Sequence, residues 1–336
     1  IGENICYFCH CAHFEKGNAV SPIMASLARS HAKREDRKIY LYCVQWVSQA
    51  FVDSFAGSGV IVRQFQQDWR YDKLDVISDQ LKADDIDVVI TDLNSSIASV
   101  LFARRVAPLQ MWIVMAYPYW SLKSMDWALL PVLDYQPGYG IDAERVSALK
   151  IKQETATLIQ VCDDAALNKA RSSLPEGKFI FAVFSRLIKV SREFLELMVR
   201  ILREEPRAHI LLVGTGDPRT LHEIAADALS AGRITFIHGN VDLNVYGRVV
   251  DVMLDTFPFH GGNACREVAI HGKPVLSLRE AEWGQFLDEE RDAAVLAKDV
   301  DEYVAIALRL AREADFYAAR SAEARQVAIR VTHTGD

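Results

Sequence analysis

Short runs of β-branched and apolar residues alternate with amphipathic stretches along the chain, and this alternation constrains the fold more than any other feature. NICYFC (4–9), KIYLYCV (38–44), GVIVRQF (59–65), IDVVITDL (86–93) and PLQMWIVMA (108–116) read as strands. Between them, AVSPIMASLARSHAK (19–33), SQAFVDSFAGSG (48–59) and YDKLDVISDQLKADD (71–85) read as helices and turns. Apolar runs buried on both faces and joined by helical crossovers are the pattern of parallel strands in a doubly wound sheet.

The pattern breaks over about 134–178, where YQPGYGI and LPEGK interrupt it, and then resumes. KFIFAVFS (178–185), HILLVG (209–214), ITFIHG (234–239), VVDVMLDT (249–256) and KPVLSL (273–278) read as strands. SREFLELMVRILREEP (191–206) is an amphipathic helix with Phe194, Leu195, Met198, Ile201 and Leu202 on one face, stopped by Pro206. TGDPRTLHEIAADALSAG (215–232) reads as loop, helix and glycine stop, and residues 300–330 as one or two helices. Two α/β domains are therefore expected, 1–155 and 156–336, facing a cleft, with the last helices free to pack back on the first domain. Folds of this kind bind ligands at the carboxyl ends of their strands.

Half of the 336 residues are hydrophobic and the net charge is -7, which disfavours a general nucleic-acid binder. Six cysteines in a chain of this length do not form a disulfide framework, so a cytoplasmic location is expected. The most apolar window, APLQMWIVMAYPYW (107–120), is too short for a membrane span and carries two prolines. No secretory signal appears, and the opening on Ile1 rather than Met leaves room for an upstream domain.

CYFCHCAH (6–13) matches the spacing of a c-type haem attachment through Cys6, Cys9 and His10. On a strand, however, Cys6 and Cys9 point to opposite faces, and no second C-x-x-C completes a zinc site. Both are better read as small buried hydrophobes. HCAHFEKGN is then the loop at the strand's carboxyl end, where His10, His13, Gly17 and Asn18 would meet an incoming acceptor or sugar. His10 or His13 is a candidate general base, with Asp92 at the end of a second strand; a solvated or structural histidine is the alternative.

Three stretches of the second half carry a candidate anion site. After VVDVMLDT, the turn through Pro258, His260, Gly261 and Gly262 leads into a helix from Asn263 to about Ile270. Two glycines with open backbone amides, followed by a helix start, suit a diphosphate, with Asn263 as N-cap or phosphate donor and Glu267 within reach of a ribose hydroxyl. A tight turn that needs small residues is the plainer alternative, and the two-domain context favours the anion site. Ser185, Arg186 and Lys189 follow a strand, and two cations there could neutralise a leaving diphosphate. Gly214 and Gly216 follow another, lining a nucleotide pocket or making a plain turn.

FSRLIKVS, LLVGTGDP, the stretch 249–278 and, upstream, RRVAPLQMWIVMAYPYWSLKSMDW (104–127) occur in the order found in the O-GlcNAc transferase family, which this chain resembles over roughly residues 80–280. FPF before the glycine turn is more like the bacterial cytoplasmic N-glycosyltransferases of adhesins. The resemblance implies an α/β fold of GT-B architecture, with two Rossmann-like domains. It implies an inverting, metal-independent transfer of a hexose or N-acetylhexosamine from a UDP-sugar to an Asn or Ser/Thr side chain. Lys189 then supports departure of UDP, Arg186 helps hold the nucleotide, Glu267 binds ribose, and the turn from His260 to Ala264 cradles phosphate. Tyr117 and Pro118 line the sugar pocket. The chain departs from the family at Gly262, Asn263 and Ala264, where threonines or an Asn-Thr pair are usual, and at Leu243, where some members carry a histidine that stacks on the base. No D-x-D sits at a strand end, since Asp85 and Asp87 read as a solvated helix end, so no metal or other cofactor is expected beside the donor. No tetratricopeptide array precedes the domains, so acceptor recruitment is expected to differ. A glycan, lipid or small-molecule acceptor, or a non-catalytic nucleotide-sugar-binding module, are the alternatives.

Overall fold

The computed structural model describes residues 4–12, 20–34, 37–92, 95–113, 122–130, 143–148, 153–154, 162–279, 294–330 and 332–333. The chain divides into two compact units, Ile1–Ile151 and Lys152–Asp336.

The first unit is built on strands β1 (Asn4–Ala12), β2 (Lys38–Val47), β3 (Val60–Gln64), β4 (Val88–Thr91), β5 (Leu109–Ile113), β6 (Trp127–Leu130) and β7 (Val146–Ala148). They form one parallel sheet in the order β3-β2-β1-β4-β5-β6-β7. Helices α1 (Val20–Ala32), α2 (Gln49–Asp53), α3 (Leu74–Ala83) and α4 (Ser96–Ala103) connect the strands. Side chains of β1 alternate between two cores, as a two-faced strand requires. Ile5, Tyr7 and Cys9 pack with Met24 and Ala28 of α1, whereas Cys6 and Phe8 pack with Leu74 and Ile77 of α3. Cys6 and Cys9 are thus buried on opposite sides of the sheet.

The second unit opens on a short strand β8 (Gln153–Glu154) and helix α5 (Asp164–Ser172). Its sheet contains β9 (Phe179–Phe184), β10 (Ala208–Gly214), β11 (Ile234–His238), β12 (Val252–Leu254), β13 (Val275–Leu278) and β14 (Ala294–Ala297). Their order is β11-β10-β9-β12-β13-β14, all parallel. Helices α6 (Arg192–Glu204), α7 (Arg219–Ile224), α8 (Ala226–Ser230), α9 (Leu243–Val249) and α10 (Asn263–Ala269) lie between strands; α11 (Val300–Arg312) and α12 (Ala314–Arg330) follow them. A last strand β15 (Thr332–His333) pairs with β8. Phe181 and Val183 face a core shared with α6 and α11, while Ile180, Ala182 and Phe184 face one shared with α10. On α6 the five apolar residues expected to lie together are all buried, and Ser191 caps the helix by accepting from Phe194 N–H at 3.1 Å. Each such side chain contributes about 1.5–3 kcal/mol by burial.

Strands β6, β7 and β14 lie where the sequence offers only two to four apolar residues at a time. The segment read as one helix before Gly232 is instead two short helices that meet at Ala225.

Gly214 ends β10 against the loop that leaves β9. A Cβ there would stand 2.0 Å from the Ser185 carbonyl oxygen, a backbone atom with nowhere to go. Gly214→Ala is expected to lower unfolding stability by about 1–3 kcal/mol or more, read from urea denaturation. An unchanged midpoint would show that the β9 and β10 loops do not need this approach.

Candidate active site

In each sheet the chain builds outward one way and then reverses, and the reversal leaves a crevice at the carboxyl ends of two neighbouring strands. In the second unit those strands are β9 and β12. Ser185, Arg186 and the single 3-10 turn Leu187–Lys189 follow β9, and the turn from Asp255 to Gly262 follows β12. Lys189 spans the crevice, its Nζ donating to the His260 carbonyl at 2.7 Å. This uses one of three ammonium N–H groups. Burial, and then the like charge of Arg186, hold the Lys189 ammonium below the usual lysine range. The Ser185 hydroxyl is buried and has no hydrogen-bond partner among the described residues.

Asp255 organises the turn. Its carboxylate is fully buried and accepts from His260 Nδ1, from the Gly261 N–H at 2.6 Å and from the Ser277 hydroxyl of β13 at 2.8 Å. Burial alone would raise this carboxyl. The His260 charge and the three donors outweigh it and hold Asp255 below the usual carboxylate range. Tyr303 of α11 bridges the Asp255 carbonyl at 3.0 Å and the Leu276 carbonyl at 2.8 Å. Asp255, Ser277 and Tyr303 did not stand out in the sequence. For Asp255 and Ser277 the signal is a polar residue inside or closing an apolar strand (VMLD, VLSL), which needs a partner in the core.

Two expectations about this turn are corrected. The Gly261 amide is not open, because it donates to Asp255. Asn263 is not the N-cap: Gly262 takes that position with φ of 65°, a left-handed conformation that suits glycine. Asn263 is the first helical residue, and its side-chain amide donates to Glu267 at 2.6 Å. The amides of Asn263 and Ala264 are among those a helix start leaves without an internal partner. Burial pushes the Glu267 carboxyl up to about 7, against the opposing effects of Asn263 and Arg266. Gly214 is buried, whereas Gly216 is exposed and its carbonyl lies 3.1 Å from His238 Nε2. The second unit therefore brings Ser185, Arg186, Lys189, His260, Gly261, Gly262, Asn263, Ala264 and Glu267 onto the strand ends around one crevice, with Gly214 and Gly216 ending the adjacent strand β10.

In the first unit the corresponding strands are β1 and β4. His10 was expected in a loop; the strand instead continues to Ala12, and the His10 side chain is fully buried within it. The reason is a partner 82 residues away: His10 Nδ1 lies 2.5 Å from Asp92 Oδ1. His13, Gly17, Asn18, Tyr117 and Pro118 fall outside the described residues. Among the described residues no group of three or more His, Cys, Asp or Glu side chains could hold a metal ion, and no helix is long and apolar enough to cross a membrane.

Comparison with known proteins bears on these features. The model of glycosyl transferase family 41 matches residues 140–333. A probable UDP-N-acetylglucosamine–peptide N-acetylglucosaminyltransferase SPINDLY from Hordeum vulgare is 23% identical over 251 residues, covering 69% of this chain and 26% of its own. A UDP-N-acetylglucosamine–peptide N-acetylglucosaminyltransferase from Caenorhabditis elegans is 24% identical over 161 residues, 45% of this chain and 14% of its own. The chain thus spans about a quarter or less of the length of these relatives. Among solved structures, a Thermobaculum terrenum O-GlcNAc transferase mutant superposes with a TM-score of 0.72 at 22% identity, over 98% of this chain and 64% of that one. Anabaena HepE, solved with UDP and glucose, gives 0.72 at 14% identity, over 99% and 96%. These superpositions show the fold, that of the two-sheet GT-B transferases. With the family model matching more than half its residues, the chain belongs to glycosyl transferase family 41.

Proposed function

We propose that the chain is a glycosyltransferase that takes a hexose or N-acetylhexosamine from a UDP-sugar, with inversion and without a metal, and delivers it to a polypeptide side chain. One observation carries the donor half: Lys189, a partly desolvated cation held across the β9/β12 crevice by the His260 carbonyl. Its two remaining N–H donors, the exposed Arg186 guanidinium and the Ser185 hydroxyl can receive the diphosphate. They neutralise the charge that develops as UDP departs. The seven-residue helix α10 is too short to supply this by its dipole alone, so the charge rests on the side chains. Glu267, one turn in, suits the ribose hydroxyls.

The polypeptide acceptor is supported by family membership and by the relatives named as peptide N-acetylglucosaminyltransferases. A glycan or lipid acceptor is a second reading, favoured by the near end-to-end superposition on WaaG, a glycosyltransferase involved in lipopolysaccharide biosynthesis. A panel of Asn- and Ser/Thr-containing peptides against oligosaccharide acceptors separates them.

Lys189→Ala is expected to weaken UDP binding in calorimetry by about 10- to 150-fold, the equivalent of a charged hydrogen bond worth roughly 1.5–3 kcal/mol. Equal affinity in the variant would place the diphosphate elsewhere. Glu267 supplies a pH test. Its folded carboxyl titrates near 7, above the ordinary 4.5, so the folded state holds an extra proton between these values. Stability should therefore fall as pH rises through that window and level off above 7. The ionised carboxylate accepts both ribose hydroxyls, so UDP affinity should rise as pH passes about 7, by no more than about tenfold per unit. Glu267→Gln should remove this part of both pH dependences; a variant that follows the wild-type curves would refute the ribose contact.

A further inference from the structure

We propose that Lys273, Arg171 and Arg325 form a second anion site, at the amino ends of β12 and β13, which takes a phosphate dianion. The site lies wholly within the second unit, at the end of the sheet away from the β9/β12 crevice, and it does not rest on the glycosyl-transfer reading.

The link His271–Gly272–Lys273 joins α10 to β13. Gly272 makes the turn with φ of 74°, a left-handed conformation that suits glycine. It also lets α12 come close: a Cβ on Gly272 would stand 3.5 Å from Ser321 Oγ and 3.8 Å from Arg325 Cβ. Ser321 fastens this contact by donating to the Gly272 carbonyl. On the other side α9 meets the link, where a Cβ on Gly247 would stand 2.9 Å from His271 Cδ2. Helix α5 packs on α9 and carries Arg171 in its last turn. Segments distant in sequence thus bring Arg171, Arg248, Lys273 and Arg325 around one turn.

Carboxylates do not balance these cations. Lys273 is half-buried, and Lys273, Arg171 and Arg325 make no hydrogen bond or ion pair among the described residues. Glu323 of α12 is engaged by Arg320 at 2.7 Å, and Asp251 accepts the Ile180 N–H at 2.7 Å. Asp251 attracts Lys273 without pairing with it. Arg248 donates to the Asn244 carbonyl at 2.9 Å. A positive excess therefore gathers at one place in a chain whose net charge is -7.

The crowding is felt by its members. Burial, and then the charges of Arg248, Lys273 and Arg325, push the His271 imidazole down to about 4. Its Nε2 is buried without a hydrogen-bond partner among the described residues, so a proton there finds no local acceptor. Burial also holds the Lys273 ammonium below the usual lysine range, with Asp251 opposing and Arg171 adding to it. Like charges held together at a partly desolvated surface repel until an anion sits among them. Cations retained for solubility alone would have no reason to converge from separate segments. A phosphate dianion supplies both the charge and the acceptor oxygens that two guanidinium groups and an ammonium match.

The test titrates inorganic phosphate into the full chain near neutral pH at about 0.15 M chloride, with and without UDP. The His271 ring resonance is followed by NMR and assigned with His271→Gln. It should move saturably and by the same amount when UDP is present. Affinity should rise as pH passes the second pKa of phosphate and fall with added salt. Arg325→Glu and Lys273→Met should each weaken phosphate by at least about tenfold while UDP affinity stays within about twofold. Arg325 is exposed, so its variant keeps the test open should Lys273→Met fail to fold. Glycerol 3-phosphate separates the sources of the anion: affinity within about threefold of phosphate assigns a phosphorylated small molecule, and affinity at least about tenfold weaker assigns free phosphate. No saturable movement of His271 up to about 10 mM phosphate, movement abolished by UDP, or an Arg325→Glu affinity within about twofold of wild type overturns the site. Failure of the wild type to bind UDP bears on the donor reading alone.

Discussion

The buried carboxylate of Asp255 is the constraint on which the second unit's strand ends depend. A charge with no exposure is tolerated only where donors surround it, and here three converge: an imidazole, a backbone amide and a hydroxyl. Each donor belongs to a segment that has to be somewhere specific. His260 and Gly261 are in the turn after β12, Ser277 is in β13, and Tyr303 ties the Asp255 carbonyl to α11. Once the turn is fixed, the His260 carbonyl is fixed, and with it an acceptor that holds Lys189 across the crevice. Removal of any one donor would leave part of the charge unanswered, at a cost of several kcal/mol, so the arrangement is held as a unit.

The two units repeat one solution with different chemistry. Each is a parallel sheet that reverses its strand order once, and each places a histidine against an aspartate at that reversal. In the second unit the aspartate precedes the histidine by five residues, and the pair shapes a backbone turn beneath two cations. In the first the partners are 82 residues apart, joined because β1 and β4 are neighbours, and the second imidazole nitrogen has no hydrogen-bond partner among the described residues.

The sheet cores were readable because parallel strands covered on both faces leave an unmistakable apolar run, as in HILLVG and KIYLYCV. Short strands such as β14 carry too few residues to show a period, and their place is set by pairing rather than pattern. The cations and glycines at the strand ends were readable as residue types, since Lys189 and the glycine turn have a recognisable order along the chain. What each one touches was not. Gly261 donates inward to Asp255, and Asn263 turns its side chain to Glu267, because tertiary partners take precedence over local capping rules. His10 shows the same limit. A polar residue after an apolar run reads as the start of a loop, and only its distant carboxylate makes it a strand residue.

The most direct measurement is a crystal structure of the protein with UDP bound. The diphosphate should lie within hydrogen-bond distance of Lys189 Nζ, beside the turn from His260 to Ala264, with the ribose hydroxyls on the Glu267 carboxylate and the Asp255 hydrogen bonds unchanged. A diphosphate bound away from the β9/β12 strand ends, or held through a turn that has released Asp255, would contradict it.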